Sequence, residues 1–373
     1  MDGLGTPGRG RWPLGLFGML VLVALVERGL VRGQRHTSDK AVSWSFAASA
    51  IEREARSAQV VVFGDSMMKF GVLPRVIEAR SGARAYNLAL FDGPPLASLA
   101  LFERLLAEGG RPGAVLLNVM PHHLSRSLHD RKHSGVWNQI MGWSSAWGVA
   151  RRFGAYSLLA DFVYTGALPS LAAREELRAT VLAAFEGRAR STLGIARLYE
   201  QNWRANLGAH VLAQTGVGKF QPNNHELEAV AWKPRQENLA VLRRFFDTAK
   251  AHGVRVYVLI SPMHPGAQAR LAAIGLYARY EKVVRALQGE YAGVTILDGR
   301  TLNLAADQFV DGVHLNRAGA IALSAACGDA LAAGDRGGWV RLAPSGESGR
   351  DFAIEDIAES RMVLRDERAA RRK

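Results

Sequence analysis

Two short segments of the sequence carry residue types that together could perform nucleophilic chemistry. Gly64-Asp65-Ser66 follows an apolar run, and Asp311 precedes His314 by three residues. The last predicted helix follows, from Arg317 to about Ala333, with Asn316 as its expected cap. A serine hydroxyl is a poor nucleophile until a base takes its proton, and an imidazole does this well when a carboxylate fixes its tautomer. A carboxylate three residues before a histidine can supply that orientation. Taken alone, each segment also fits a simpler interpretation, a helix cap at Ser66 and a turn at Asp311-Gly312.

The apolar run Val60 to Phe63 predicts a buried central strand with Ser66 at the rim of a sheet, where open α/β folds bind ligands. Further strands are predicted within residues 83–90, 114–120, 255–261 and 294–298, with helices between them. Strands separated by helices in this way favour a parallel sheet that is covered on both faces. The predicted fold class is therefore α/β with three layers, α/β/α.

The predicted domain organisation has five parts. Residues 36–124 and 225–334 form the two halves of the α/β domain, and residues 125–224 are an α-helical insertion at the rim of its sheet. Residues 1–35 hold a signal anchor and a juxtamembrane segment, and residues 335–373 are expected to be a loose, basic and polar tail.

The anchor is predicted from an uncharged apolar stretch, Trp12 to Val26, that follows Arg9 and Arg11. The stretch is shorter than the roughly 20 residues of a comfortable spanning helix, although the residues after it could extend it. Because no small-x-small cleavage pattern follows, we expect an uncleaved transmembrane helix. Basic residues on both sides leave its orientation open on charge alone.

Composition excludes several classes of site. The 373-residue chain has a net charge of +13, spread along its length, but it has no alternation of basic and aromatic residues and no Gly-rich phosphate loop. We therefore expect no nucleic-acid partner. Cys327 is the single cysteine. The histidines at 122, 123, 129 and 133 lack the spacing of a helical metal motif, so neither a metal ion nor another cofactor is predicted.

Together, Phe63-Gly64-Asp65-Ser66 and the segment Asp311 to Asn316 resemble the first and last motif blocks of the SGNH, or GDSL, hydrolase superfamily. The resemblance implies a flavodoxin-like topology with Ser66 as nucleophile, His314 as base and Asp311 as its orienting carboxylate. Met68 stands where the G-x-S-x-G elbow of α/β-hydrolases needs glycine, which argues against that fold.

The resemblance also implies an oxyanion hole from the Ser66 amide, a glycine after the second strand and an asparagine after the third. Gly93 is the nearest glycine, with Asp92 equally well aligned, and the asparagine position falls on His122. An imidazole N–H could replace the amide donor, while Asn118 is expected to pair inside its strand. Lys69 and His264 are weaker candidates for substrate binding. Otherwise Lys69 is expected to reach solvent and His264 to shape a loop.

An N-terminal anchor followed by such a domain is similar in layout to bacterial proteins that acylate cell-surface polysaccharides beside a membrane-bound acyltransferase. The likeness implies a single-pass protein of the cytoplasmic membrane whose domain lies outside the cytoplasm. The expected function is a serine esterase or O-acyltransferase acting on acylated glycans. A catalytically inactive envelope assembly factor and a polysaccharide-binding protein remain alternatives.

Overall fold

A computed structural model describes residues 14–33, 39–128, 133, 135–167, 170, 178, 182, 185, 189–213, 232–334, 337–345 and 352–370. Its strands are β1 Val60–Phe63, β2 Ala85–Asn87, β3 Ala114–Asn118, β4 Arg255–Ile260, β5 Val294–Asp298 and β6 Gly338–Arg341. Among the described residues these strands form one parallel sheet in the order β2-β1-β3-β4-β5-β6. The predicted α/β class is therefore confirmed, and the order is the flavodoxin-like one with a further strand at the β5 edge.

The helices in chain order are α1 Leu14–Gly33, α2 Asp39–Arg53, α3 Ser66–Gly71, α4 Pro74–Ser81, α5 Pro95–Ala107, α6 Pro121–Ser125, α7 Trp137–Ile140, α8 Trp143–Phe153, α9 Tyr156–Ala167, α10 Ala189–Ala205, α11 Gln236–Ala251, α12 Pro265–Ala273, α13 Leu276–Glu290, α14 Arg317–Ala333 and α15 Ile357–Ala370. The helix predicted from Arg317 to about Ala333 has these bounds in the structure.

Alternate residues of each buried strand point to opposite faces of the sheet. Helices pack against the side chains on both faces. Val61 and Phe63 of β1 belong to a core shared with α2, α5, α11 and α13. Val60 and Val62 belong to a second core shared with α4 and α14. Phe63 contacts the ring of Phe102 at a centroid distance of 5.7 Å, and burial of one such side chain contributes about 2 kcal/mol. This arrangement is consistent with a three-layer α/β/α fold.

The expected loose tail is wrong for the described part of residues 335–373. β6 pairs with β5 along its length, from Gly338 opposite Thr295 to Arg341 opposite Asp298. Farther on, the carbonyl of Glu355 accepts hydrogen bonds from the side chains of Asn202 and Asn206, at 2.8 and 2.7 Å. The sequence did not reveal these contacts, because the segment is mainly polar and hydrogen bonds of the backbone need few apolar side chains.

All described secondary structure within residues 125–213 is helical, in α7 to α10. Trp137 is fully buried against Trp44, at 5.1 Å between ring centroids, whereas Trp143 and Trp147 are each 55% exposed. Aromatic side chains near the start of the predicted insertion therefore divide between core and surface.

The predicted anchor segment contains α1, which is 20 residues long. No helix among the described residues combines the length and apolar character that crossing a membrane requires. The transmembrane helix stays a prediction.

Candidate active site

The turn after β1 presents Ser66 at the carboxyl end of the sheet. Gly64 has a φ of +135°, and a Cβ added there would overlap the side-chain oxygen of Asn118, so the turn requires glycine. Asp65 caps α3, since its Oδ1 accepts a hydrogen bond from the Met67 N–H at 2.9 Å. Ser66 begins α3 and is half-buried, so its hydroxyl lies at the rim as predicted.

Asn118 joins this turn to the neighbouring strand β3. Its Oδ1 accepts a hydrogen bond from the Asp65 N–H at 3.2 Å, and its Nδ2 donates to Asp65 Oδ1 at 2.9 Å. Asn118 lies inside its strand as predicted, but the expected local pairing of its side chain is wrong. Asn118 is the last residue of β3, so its side chain reaches the turn that follows the neighbouring strand β1. These hydrogen bonds hold the turn in place immediately before Ser66.

The histidine lies on a loop that the backbone closes. Phe309 and Leu315 form an antiparallel bridge on either side of Asp311 and His314. Asn316 then caps α14, accepting from the Gly319 N–H at 3.1 Å, as the sequence predicted. Both ends of the loop that carries the imidazole are therefore held by hydrogen bonds.

The structure brings Ser66, His314 and Asp311 together in one hydrogen-bonded chain. His314 Nε2 lies 2.8 Å from Ser66 Oγ, and His314 Nδ1 lies 2.7 Å from Asp311 Oδ2. Both distances are within the range for proton transfer between a nucleophile, its base and an orienting group. The arrangement can deprotonate the serine and hold the resulting imidazolium.

Asp311 is itself held in place by the loop backbone. Its Oδ1 accepts hydrogen bonds from the N–H groups of Val313 and His314, both at 2.8 Å. Partial burial raises the pKa of Asp311, but the hydrogen bonds and the His314 charge outweigh this effect and lower it to about 2. Asp311 is therefore a carboxylate throughout the neutral range.

Gly93 lies against the turn that carries Ser66. A Cβ added to Gly93 would lie 2.7 Å from the Gly64 carbonyl oxygen, so the close approach requires glycine. Its N–H donates to the Leu90 carbonyl oxygen over a long 3.3 Å. An oxyanion would have to compete with this weak bond, and the donor role of Gly93 stays a prediction.

Asp92, the equally aligned alternative, has a different role. It adopts a φ of +54°, and its carboxylate lies 3.2 Å from Lys40 Nζ and 3.4 Å from His133 Nε2. Burial opposes the charge, but the hydrogen bond from His133 and the nearby charge of Lys40 lower the pKa of Asp92 far below its usual range. Its side chain thus ties α2 and residue 133 to the loop after β2.

His122 is half-buried in α6, at the carboxyl end of β3, and its ring contacts that of His123 at 3.9 Å between centroids, with the ring planes tilted by 41°. Burial, and secondarily the charge of His123, lowers the pKa of His122 well below its usual value. A neutral imidazole has one N–H to donate and one lone pair. A donor role toward an oxyanion therefore stays possible in chemical terms and stays a prediction.

Lys69 does not lie at the crevice surface, contrary to the expectation that it binds substrate or reaches solvent. Its side chain is fully buried, with Nζ 4.4 Å from the centre of the Trp203 ring. Burial lowers the pKa of the amine to about 7. The insertion helix α10, which carries Trp203, covers the amine in this structure.

His264 contacts the loop that carries Asp311 and His314. Its backbone N–H donates to the Gly312 carbonyl oxygen at 3.1 Å, and its Nδ1 accepts from the Gly266 N–H at 3.1 Å as a cap of α12. The contact is to the loop backbone, so the structure favours a positioning role over the predicted substrate-binding role.

Sequence reasoning missed an aromatic wall beside His314. Phe70 lies 4.7 Å from the rings of both His314 and His210, and it stacks on Phe91 at 5.3 Å. Tyr199 of α10 contacts the ring of Phe91 at 6.3 Å. The only local signal was the spacing of Tyr199 and Trp203, four residues apart on one helix face. The wall gives the crevice an apolar side next to the base.

No protein-family model and no curated protein sequence matches this chain.

Proposed function

We propose that this protein is an SGNH-like serine esterase or O-acyltransferase that forms an acyl-enzyme at Ser66. The observation that carries the proposal is the continuous chain of hydrogen bonds from Ser66 through His314 to Asp311, with heavy-atom distances of 2.8 and 2.7 Å. The position of Ser66 at the carboxyl end of β1, where the strand order reverses, supports it.

In the first half-reaction, His314 Nε2 takes the proton of Ser66 Oγ as this oxygen attacks the carbonyl carbon of an acyl ester. The Ser66 amide, with Gly93 and His122 as further donors, stabilises the oxyanion of the tetrahedral intermediate. His314 then gives its proton to the departing alcohol, and the acyl group stays on Ser66. Asp311 remains ionised and stabilises the imidazolium.

In the second half-reaction, His314 takes a proton from the acceptor hydroxyl, whose oxygen attacks the acyl carbon. The bond between this carbon and Ser66 Oγ then breaks, and His314 returns the proton to Ser66. Water as acceptor gives a carboxylic acid, and a glycan hydroxyl gives a new ester. Esterase and transferase use the same residues, and the choice between them depends on how far the acceptor site excludes water.

The surroundings of the triad fit an acylated glycan as substrate. The half-buried rings of Phe70, Phe91 and Tyr199 offer apolar surface on which an acyl group or a sugar face can pack. With the predicted N-terminal anchor, we place the domain outside the cytoplasmic membrane, beside a membrane-bound acyltransferase that supplies or receives the acyl group.

The test is covalent labelling of the full chain with a serine-reactive fluorophosphonate. We expect labelling that maps to Ser66 and disappears in Ser66→Ala and in His314→Ala. Ser57→Ala is the matched control, since the Ser57 hydroxyl is exposed and bonds to Glu54. A folded wild-type chain that is neither labelled nor able to cleave short acyl esters would favour the non-catalytic assembly or binding protein.

A further inference from the structure

A second group of ligating side chains lies directly behind the nucleophile. Asp65, His122 and His123 each offer one ligand atom, and these atoms all lie within 4.8 Å of one another. We propose that these three residues bind a divalent transition-metal ion of the zinc class. The proposal does not depend on the reaction assigned to Ser66.

The distance between the ligand atoms of Asp65 and His123 is the one expected for two ligands of the same metal ion. Asp65 Oδ2 and His123 Nε2 are 3.3 Å apart. Two ligands bound tetrahedrally at about 2.0 to 2.1 Å lie about 3.3 to 3.4 Å apart. His122, whose ring contacts that of His123, supplies the third ligand. Two histidines and one carboxylate form the usual ligand set of open zinc sites, which keep a fourth position for water or substrate.

A simple ion pair accounts less well for this contact. The two side chains are only 5% and 3% exposed, yet His123 Nε2 is buried without a hydrogen-bond partner of acceptable geometry among the described residues. An imidazolium paired with a carboxylate should direct its N–H along the line between them. The contact has the distance of a paired group without the alignment of a hydrogen bond, as two ligands of one metal ion would.

The carboxylate is also oriented as a ligand would be. Asp65 Oδ1 is occupied by the Met67 N–H and by Asn118 Nδ2, each at 2.9 Å, which leaves Oδ2 facing His123. Hydrogen bonds of this kind fix the direction of metal-binding carboxylates. A bound cation would in addition balance the charge of the buried Asp65, and half-buried His122 leaves one side of the site open to solvent.

The test is direct metal binding by the full chain. The chain is stripped with a chelator, dialysed against ZnCl₂ and analysed for bound metal, and cobalt(II) is titrated in parallel because its visible absorption reports tetrahedral coordination. We expect one zinc ion per chain and a tetrahedral cobalt spectrum. Asp65→Asn, which can keep the helix cap, and His122→Gln should each weaken zinc binding about 100-fold or more.

His252→Gln is the matched control, because its Nδ1 contacts the Thr248 carbonyl oxygen far from the cluster. It should bind zinc like the wild type, and so should Ser66→Ala. Circular dichroism of each variant confirms that it is folded. Absence of stoichiometric zinc in the folded wild type, or equal zinc binding by Asp65→Asn and wild type, would overturn the proposal. Loss of fluorophosphonate labelling with zinc binding intact would instead reject the proposed function alone.

Discussion

Two pairs of histidine and carboxylate lie on either side of Ser66. In the first, His314 Nδ1 and Asp311 Oδ2 are 2.7 Å apart, and the Asp311 side chain is 50% exposed. In the second, His123 Nε2 and Asp65 Oδ2 are 3.3 Å apart, and both side chains are almost fully buried. The same two residue types are thus used in opposite surroundings within one site.

The difference shows how geometry assigns a task to each pair. The first pair has a directed hydrogen bond and a second imidazole nitrogen aimed at Ser66 Oγ, so a proton can move from the serine to the ring and on to a leaving group. The second pair has no directed hydrogen bond, and the other oxygen of its carboxylate holds the serine turn. It suits a fixed role in binding and support rather than a cycle of proton transfer.

The largest expected effect comes from the first pair. His314→Ala should lower the rate of fluorophosphonate labelling of Ser66 by about 10³-fold or more, because no other base is within hydrogen-bond distance of Ser66 Oγ among the described residues. Its free energy of unfolding should change by less than about 1 kcal/mol, since the ring is partly exposed. Labelling of Ser66 in His314→Ala as fast as in the wild type would contradict the assignment of proton transfer to the first pair.

Asp311→Asn should lower the labelling rate by about 10² to 10⁴-fold. The amide oxygen can still accept the two backbone hydrogen bonds, but the side chain no longer stabilises the imidazolium and permits the wrong tautomer. The measurement is the labelling rate as a function of pH, with Asp307→Asn on the same loop region as control. A rate within threefold of the wild type would show that Asp311 only shapes the loop.

The second pair should respond in stability. His123→Gln removes the imidazole that faces the buried carboxylate of Asp65, so in the presence of a chelator it should lower the free energy of unfolding by about 3 kcal/mol. Urea denaturation measures this difference. Its labelling rate should fall at least tenfold less than that of His314→Ala. If His123→Gln is as stable as the wild type and His314→Ala is the unstable variant, the supporting role assigned to the second pair is wrong.

A smaller effect is expected from Lys69, the third buried ionisable group around Ser66. Its folded-state pKa is lowered to about 7 from an ordinary 10.5, so the unfolded chain binds more protons between these values. The free energy of unfolding should therefore rise with pH, by about 2 kcal/mol between pH 7 and pH 9. Lys69→Met should be the more stable protein at pH 7 and should lack this part of the rise.

Urea denaturation at several pH values measures the Lys69 effect, and Lys250→Met is the control for an exposed lysine. The same slope in Lys69→Met and in the wild type would show that the amine is not buried in solution.

The sequence predicted those parts of the site that depend on local patterns. The valines of β1, the glycine turn and the spacing of Asp311 and His314 are each visible within a few residues, and the α14 cap at Asn316 is too. These features fix the positions of Ser66 and His314, the proposed nucleophile and base. A resemblance in two motif blocks was enough to place them in one crevice.

The missed parts depend on contacts between distant segments. Asp65 meets His123 only because β1 and β3 are neighbours in the sheet, so spacing along the chain gave no sign of a shared site. Lys69 was expected at the surface, as most lysines are, but Trp203 of the distant helix α10 covers it. β6 is only four residues long and lies in a mainly polar segment, so its pairing with β5 could not be seen in the sequence.

The central claim is tested most directly by trapping the acyl group. The full chain is mixed with a short activated acetyl ester, quenched in acid within the first turnover, digested and analysed by mass spectrometry. We predict that one acetyl group is found on Ser66 in the wild type and in the His252→Gln control, and that none is found there in His314→Ala. Acetylation of Ser66 that is equal in His314→Ala and wild type, or acetyl groups found only on other residues, would contradict the account.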